Sequence, residues 1–157
     1  MENNYADYKK YMEDVLKSEK GIVKKRLLKW GAALNMCEMK QEEIQKIKRM
    51  KDSSIKIFSK FDNEFDNKKI VDSYEKEIKN ITDYIENIME DKRVMDTYIN
   101  ELMPIEQEFL YLKYRKGYDF NYVALKMNVS RSQVFRIKDL SIDNLILIIK
   151  KYENEIF

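Results

Sequence analysis

The side chains best suited to chemistry in this sequence are basic ones, gathered in the last third of the chain. Residues 113–138 hold seven Lys or Arg against a single acidic residue, Asp119. Guanidinium and ammonium groups neutralise phosphate, so this block is a candidate contact for nucleic acid, although most charge clusters are only solvated faces. The basic residues of the block are Lys113, Arg115, Lys116, Lys126, Arg131, Arg136 and Lys138.

The composition argues against an enzyme and against a metal site. With no histidine, the chain cannot build a Ser-His-Asp or Cys-His centre or any histidine-bearing metal site. Cys37, the single cysteine, cannot form an internal disulfide or a cysteine zinc site, which favours a reducing cytoplasm. Carboxylates such as Glu75 and Glu86 alternate with lysines in the manner of i,i+4 pairs on a helix. We therefore expect no catalysis, no cofactor and no small-molecule substrate.

The formal net charge of +2 is a sum of unlike parts. Residues 1–60 carry 15 basic and 9 acidic side chains, residues 61–101 carry 6 and 12, and residues 102–157 carry 9 and 7. The basic first part and the acidic second part could attract each other without any ligand. The longest strongly apolar run, 145–149, is far shorter than the roughly 20 residues of a membrane span, so we expect no membrane partner.

The elements that must position the basic block are predicted to be helices. Three glycines and one proline are too few for a turn-rich β fold, and Lys, Glu, Ile, Leu and Met are abundant. The predicted fold is all-α, with a helical, coiled-coil-like half over 1–101, a loop near 59–67, and a second domain over 102–157. Within the first half, helix breaks are predicted at Gly21 and at 52–54, and Asn67 is suited to cap the helix that follows the loop. Apolar positions spaced by 4 and 3 from Ile70 to Leu102 predict a narrow seam. Its partner is either the N-terminal helices or a second copy of the chain, and the seam residues are Ile78, Ile81, Ile85, Ile88 and Met95.

Residues 119–140 have the pattern of a helix-turn-helix. Asp119 is suited to cap a short helix, Asn128 suits a left-handed turn, and Ser130 is suited to cap the next helix. The small Ala124 lets the two helices cross closely, with Val134 facing inward. The second helix, about 131–140, is then a recognition helix, followed by an apolar C-terminal helix.

This arrangement assigns two kinds of contact to DNA. Outward residues of the recognition helix would read bases, since Arg suits guanine edges and Gln suits adenine, while Phe135 would meet a thymine methyl or a protein. The base-reading residues are predicted to be Arg131, Ser132, Gln133, Phe135 and Arg136. The phosphate contacts are predicted to be Lys113, Arg115, Lys116, Lys126, Ser130 and Lys138.

Residues 102 to about 145 resemble region 4 of bacterial sigma-70-type factors, which reads the promoter −35 element. The resemblance is carried by LMPIEQEFLYLKYRKG, DFNYVALKMNVSR and SQVFRIKDL, and NVSRSQVFRI is its most specific part. It implies that Arg131, Ser132 and Arg136 contact bases. Ser132 stands where the family has an acidic residue, and Phe135 where it has a basic one, so the implied target differs from the −35 consensus.

The order of the two halves is similar to that of small phage late-gene regulators of the ArpU/RinA type. That resemblance implies a transcriptional activator in the bacterial cytoplasm, with double-stranded promoter DNA and host RNA polymerase as partners, either alone or as a homodimer. Two other functions stay open from the residues. One is a DNA-packaging component similar to a small terminase subunit, and the other is a polymerase-binding module that does not read DNA.

Overall fold

The structure, a computed structural model, describes residues 2–60 and 64–154, and these residues are almost entirely helical. No β-strand occurs in either described range, which confirms the all-α prediction. The helices are α1 (Glu2–Lys17), α2 (Glu19–Phe58), α3 (Glu64–Ile99), α4 (Pro104–Leu110), α5 (Phe120–Met127) and α6 (Arg131–Glu153), with a π-helical segment at Tyr111–Arg115 between α4 and α5.

The chain forms two compact units that cut across the predicted boundary at 101/102. The head unit contains residues 1–32 and 92–157, and the hairpin unit contains residues 33–91. Both long helices contribute to both units, because the first part of α2 and the last part of α3 pack with the C-terminal helices. The α-helical periodicity of α2 and α3 continues across this division, although the apolar pattern of α3 is interrupted at Lys92, the first residue of the head unit on that helix.

Three predicted helix ends differ from those of the structure. The break near Gly21 occurs instead at Ser18, whose Oγ accepts a hydrogen bond from the Gly21 N–H at 3.1 Å. The helix continues through 52–54, where a break was predicted. Of the predicted loop near 59–67, residues 61–63 lie outside the described residues, and α3 already begins at Glu64. The Asn67 side chain therefore does not cap α3; its amide donates to the carbonyl of Phe58 at 3.3 Å.

In the hairpin unit, α2 and α3 run antiparallel. The Lys40 ammonium lies 5.4 Å from the centre of the Tyr84 ring, and the hydroxyls of Ser54 and Tyr74 are 3.3 Å apart. Residues further along α2 therefore contact residues earlier in α3. The residues of this part of α2 that are buried are Ala33, Cys37, Ile44 and Ile47. The cysteine is thus a core residue, in agreement with its apolar position in the sequence.

The predicted seam is divided between the two units. Ile78, Ile81, Ile85 and Ile88 belong to the hairpin unit and are half-buried, whereas Met95 belongs to the head unit and is buried. Lys92, which interrupts the apolar pattern, is accommodated by an ion pair with Asp96 at 2.7 Å, one turn further along α3. Asp96 also accepts a hydrogen bond from the Trp30 indole at 2.7 Å. Asp96 thus links Lys92 of α3 to Trp30 of α2.

The core of the head unit is shared by all its long elements. Side chains from α2 and α3 are as deeply buried in it as those of α4, α5 and α6. Its buried members are Val23, Leu27, Trp30, Met95, Tyr98, Ile99, Leu102, Phe109, Leu110, Val123, Ala124, Val134, Ile142, Leu145, Ile146 and Ile149.

Helix α2 approaches the π-helical segment so closely that only glycine fits at the crossing. A Cβ atom added at Gly31 would lie 2.0 Å from the Tyr114 carbonyl oxygen and 2.6 Å from its carbon. This approach brings the guanidinium of Arg115 to 5.7 Å from the Trp30 ring centre. The π-helical turn itself is closed by the Lys116 N–H, which donates to the Tyr111 carbonyl at 3.0 Å.

A buried carboxylate joins the start of α4 to the middle of α6. Glu106 accepts hydrogen bonds from the Met103 N–H at 3.2 Å and from the Asn144 amide at 2.9 Å. Both carboxylate oxygens are therefore satisfied, which offsets the cost of burying the group.

The predicted recognition helix and the apolar C-terminal helix are one continuous helix, α6. Its apolar second half is largely covered within the chain, because Leu145 and Ile149 are fully buried. The C-terminal end of α6 is attached to α2 through Arg26, which donates two hydrogen bonds to Glu153 at 3.0 and 3.3 Å. In the described parts of the chain, no helix is both long and apolar enough to cross a membrane.

We expect Gly31→Ala to destabilise the chain, with a lower free energy of unfolding by about 1–3 kcal/mol, because backbone atoms must move to admit the methyl group. At a solvent-exposed helix position, Gly→Ala would instead raise the free energy of unfolding by about 1 kcal/mol. The sign of the change therefore shows whether the two backbones are in close contact at Gly31. Asn35→Ala, at an exposed position of the same helix, is the control and should be neutral or slightly stabilising. Urea denaturation measures both, and a stabilised Gly31→Ala variant would contradict the close approach.

We also expect residues 102–157 alone not to fold. The truncation removes six core side chains worth about 1.5–3 kcal/mol each, which is comparable to the whole stability of a small domain. Those side chains are Val23, Leu27, Trp30, Met95, Tyr98 and Ile99. A chain lacking only 1–17 should fold, because residues 4–12 are exposed throughout. Circular dichroism melting compares the two, and a cooperative transition in the short fragment would show that the head unit does not need α2.

Candidate nucleic-acid interface

The short helix α5 begins and ends where its sequence dictates. The Asp119 side chain accepts a hydrogen bond from the Tyr122 N–H at 2.8 Å, so it caps the first turn. At the other end Asn128 has φ 56° and ψ 45°, the left-handed conformation that Asn tolerates better than most residues. The Val129 N–H then donates back to the Ala124 carbonyl at 3.1 Å, which closes the end of the helix.

Helix α6 begins after a turn of three residues, 128–130, with reciprocal capping. The Ser130 Oγ accepts from the Gln133 N–H at 3.2 Å, and the Gln133 side-chain oxygen accepts from the Ser130 N–H at 2.9 Å. Such a capping box fixes the direction in which the helix leaves the turn. The crossing of α5 and α6 is held by Val123 and Val134, which are both fully buried. The two helices thus form a rigid corner.

The predicted base-reading residues have three different environments. Arg131, Ser132 and Arg136 are exposed within the first two turns of α6 and are available to a ligand. Gln133 is also exposed, but its side-chain oxygen is occupied in the capping box, so only its amide N–H groups are available to a base. Phe135 is half-buried.

Phe135 is half-buried against Phe120, a residue for which the sequence pattern predicts no role in the site. The two ring centres lie 4.7 Å apart. Cationic groups surround the pair: Lys113 lies 4.4 Å from the Phe120 ring centre, and Lys138 and Arg131 lie 5.1 and 5.7 Å from that of Phe135. Phe120 is the first residue of α5 and follows the capping Asp119. An aromatic residue at that position is the one feature of the sequence that could have indicated its place in the site.

The predicted phosphate contacts on the π-helical segment and beyond it are partly used inside the molecule. The Lys113 ammonium donates to the Tyr118 carbonyl at 3.3 Å, so it also ties the segment to the following loop. Arg115 stacks over Trp30 and, at 5.6 Å, over Tyr111. Lys116 is exposed and follows the segment directly. The side chains of Lys113 and Arg115 are thus held by contacts within the molecule, whereas Lys116, which follows the segment, is more exposed.

The remaining predicted phosphate contacts lie on α5 and α6. Lys126 is exposed, with its ammonium 5.4 Å from the centre of the Tyr122 ring. The hydroxyl oxygen of Ser130 caps α6 by accepting the hydrogen bond from Gln133, so this oxygen is already engaged within the chain. Lys138 is partly covered and lies 3.5 Å from Asp139, the one acidic neighbour on this turn of the helix. Exposed lysines such as Lys116 and Lys126 are free to follow a phosphate backbone.

Titratable groups with altered pKa values lie in the interior of the head unit. Burial raises the pKa of the Tyr114 hydroxyl, and burial together with the Glu153 carboxylate raises that of Tyr98. Both hydroxyls therefore keep their protons across the neutral range. Within the described residues, no group of three or more Cys, Asp or Glu side chains could hold a metal ion.

The chemistry that this corner offers is hydrogen-bond donation from fixed positions. Two guanidinium groups and one hydroxyl project from the first two turns of α6, and ammonium groups lie on the neighbouring elements. Guanidinium groups form paired hydrogen bonds with guanine edges and with phosphate oxygens, which ammonium groups bind as point charges.

Comparison of the chain with protein-family models, with curated proteins and with solved structures gave no match.

Proposed function

We propose that the chain is a DNA-binding transcription regulator, in which α5 and α6 form a helix-turn-helix and the first turns of α6 enter the major groove. The observation that carries the proposal is the capped, left-handed corner between the two helices, with Val134 buried on one side of α6 and Arg131, Ser132 and Arg136 exposed on the other. In a helix-turn-helix, the N-terminal residues of the second helix contact base edges.

The roles of the side chains follow from their environments. Arg136 is exposed, and among the described residues no hydrogen bond, ion pair or ring contact holds its guanidinium, which is therefore available for direct base reading. Arg131 lies beside the Phe135 ring, and this stacking would hold its guanidinium in place for a base or a nearby phosphate. Lys116 and Lys126 would contact phosphate, which strengthens binding to every sequence alike.

The position of Phe135 favours DNA reading over a module that binds only protein. An exposed phenylalanine on a recognition helix would be a hydrophobic anchor for a partner. Here the ring packs on Phe120 beneath cationic groups, so its presence in the sequence is accounted for within the chain. The resemblances described above add the remaining elements of the proposal: a bacterial cytoplasm, host RNA polymerase as a partner, and activation at phage late promoters.

Two substitutions separate base reading from phosphate binding. A preferred sequence is first selected from short duplexes with a randomised centre, and affinities are measured by fluorescence anisotropy from about 50 to 200 mM salt. We expect Arg136→Ala to cost about 1–3 kcal/mol on the selected duplex and to relax discrimination. Lys126→Ala should weaken all duplexes similarly and reduce the salt slope by about 1.

Lys69→Ala is the matched control, because it removes the same charge from an exposed position in the hairpin unit. Its affinity and salt slope should equal those of the unaltered chain. Absence of any binding to duplex DNA at low salt, or equal effects of Lys69→Ala and Lys126→Ala, would refute the proposed interface.

A further inference from the structure

The hairpin unit leaves much of its apolar seam uncovered. From residue 67 to residue 91, a stretch described throughout, α3 has no fully buried side chain, and its seam isoleucines are only half-buried. In a hairpin of two helices, each helix covers only one side of the apolar seam of the other, and the flanks of the seam stay exposed to solvent. Two such hairpins can bury these flanks by packing together as a four-helix bundle.

A second apolar stripe runs along α2 outside the hairpin core. Met39, Met50 and Ile57 are 68%, 49% and 56% exposed. Their spacings of eleven and seven residues are close to three and two helical turns, so the three side chains lie along one side of α2. This is not the side that carries the buried Cys37, Ile44 and Ile47. The hairpin thus exposes several large apolar side chains along its length, interspersed with charged ones such as Lys46.

The charge of the hairpin unit is separated along its length. Its base, residues 33–45 of α2 beside 83–91 of α3, carries one basic and seven acidic side chains, net −6. Its tip, residues 46–58 beside 67–82, carries nine basic and four acidic side chains, net +5. The pairing of Lys40 with Tyr84 and of Ser54 with Tyr74 brings these segments side by side.

We propose that two copies of this chain associate through their hairpin units, antiparallel, with the tip of one hairpin against the base of the other. This orientation places net +5 against net −6 at both ends, and a two-fold axis makes the surface self-complementary. Parallel association would oppose like charges at both ends. Apolar burial supplies the binding free energy, and the charges select the orientation.

The size of the hairpin is sufficient for such an interface. Residues 33–58 span about 39 Å at about 1.5 Å per residue. Two helices side by side, each about 10 Å across, present roughly 800 Å² per partner, which is the size of a standard stable interface. The proposal depends only on the hairpin unit, so DNA binding by the head unit can fail without affecting it.

Charge reversal at the tip and at the base tests the orientation. The tip variant carries Lys46→Glu, Lys48→Glu and Arg49→Glu, and the base variant carries Asp83→Lys, Glu86→Lys and Asp91→Lys; all six positions are exposed. In sedimentation equilibrium, the unaltered chain should be a dimer, and each variant alone should raise the dissociation constant at least about tenfold at low salt. The variant with all six changes has a tip of net −1 and a base of net 0, so the attraction between them is lost and it should stay as weakly associated as the single variants.

The control reverses Lys24, Lys25 and Lys29 to Glu, three exposed lysines of α2 in the head unit, and should leave the dissociation constant unchanged. Met50→Ser with Ile57→Ser should weaken the dimer at any salt concentration, with helicity by circular dichroism preserved. A monomeric unaltered chain, a larger ring, or a tip or base variant that dimerises as tightly as the unaltered chain would each overturn the proposal.

Discussion

The close crossing of α2 over the π-helical segment at Gly31 is the contact on which the head unit depends. Because no side chain separates the two backbones, Leu27 and Trp30 are buried in the same core as Phe109 and Leu110, and the Arg115 guanidinium lies over the indole. Trp30 in turn binds Asp96, whose second oxygen pairs with Lys92. A glycine, an indole and one ion pair thus join both long helices to the C-terminal elements.

This support explains how a short corner of two helices can present side chains in fixed positions. Eight residues of α5 cannot form a stable helix alone, so its direction comes from the Asp119 cap, the left-handed Asn128 and the buried valines. Glu106 holds α4 to α6 from the opposite end. The proposed DNA-reading residues therefore project from a packed domain, which reduces the entropy that a flexible segment would lose on binding.

The features that could be predicted from the sequence are local ones. All-helical structure, the caps at Asp119 and Ser130 and the turn at Asn128 depend on neighbouring residues, so spacing and residue type were sufficient. The Gly31 crossing, the Phe120–Phe135 contact and the hydrogen bond from Trp30 to Asp96 join residues that are far apart in the sequence, and helical periodicity does not encode such contacts. The participation of Gln133 in a capping box was readable from its position three residues after Ser130.

Titration of the isotope-labelled chain with duplex DNA, followed by backbone amide chemical shifts, tests the proposed interface most directly. The shifts should concentrate in residues 113–138, be largest in the first two turns of α6, and diminish as salt is raised, because phosphate contacts are screened. Shifts confined to the hairpin unit, or none at low salt, would contradict the assignment of α5 and α6 as the DNA-binding element.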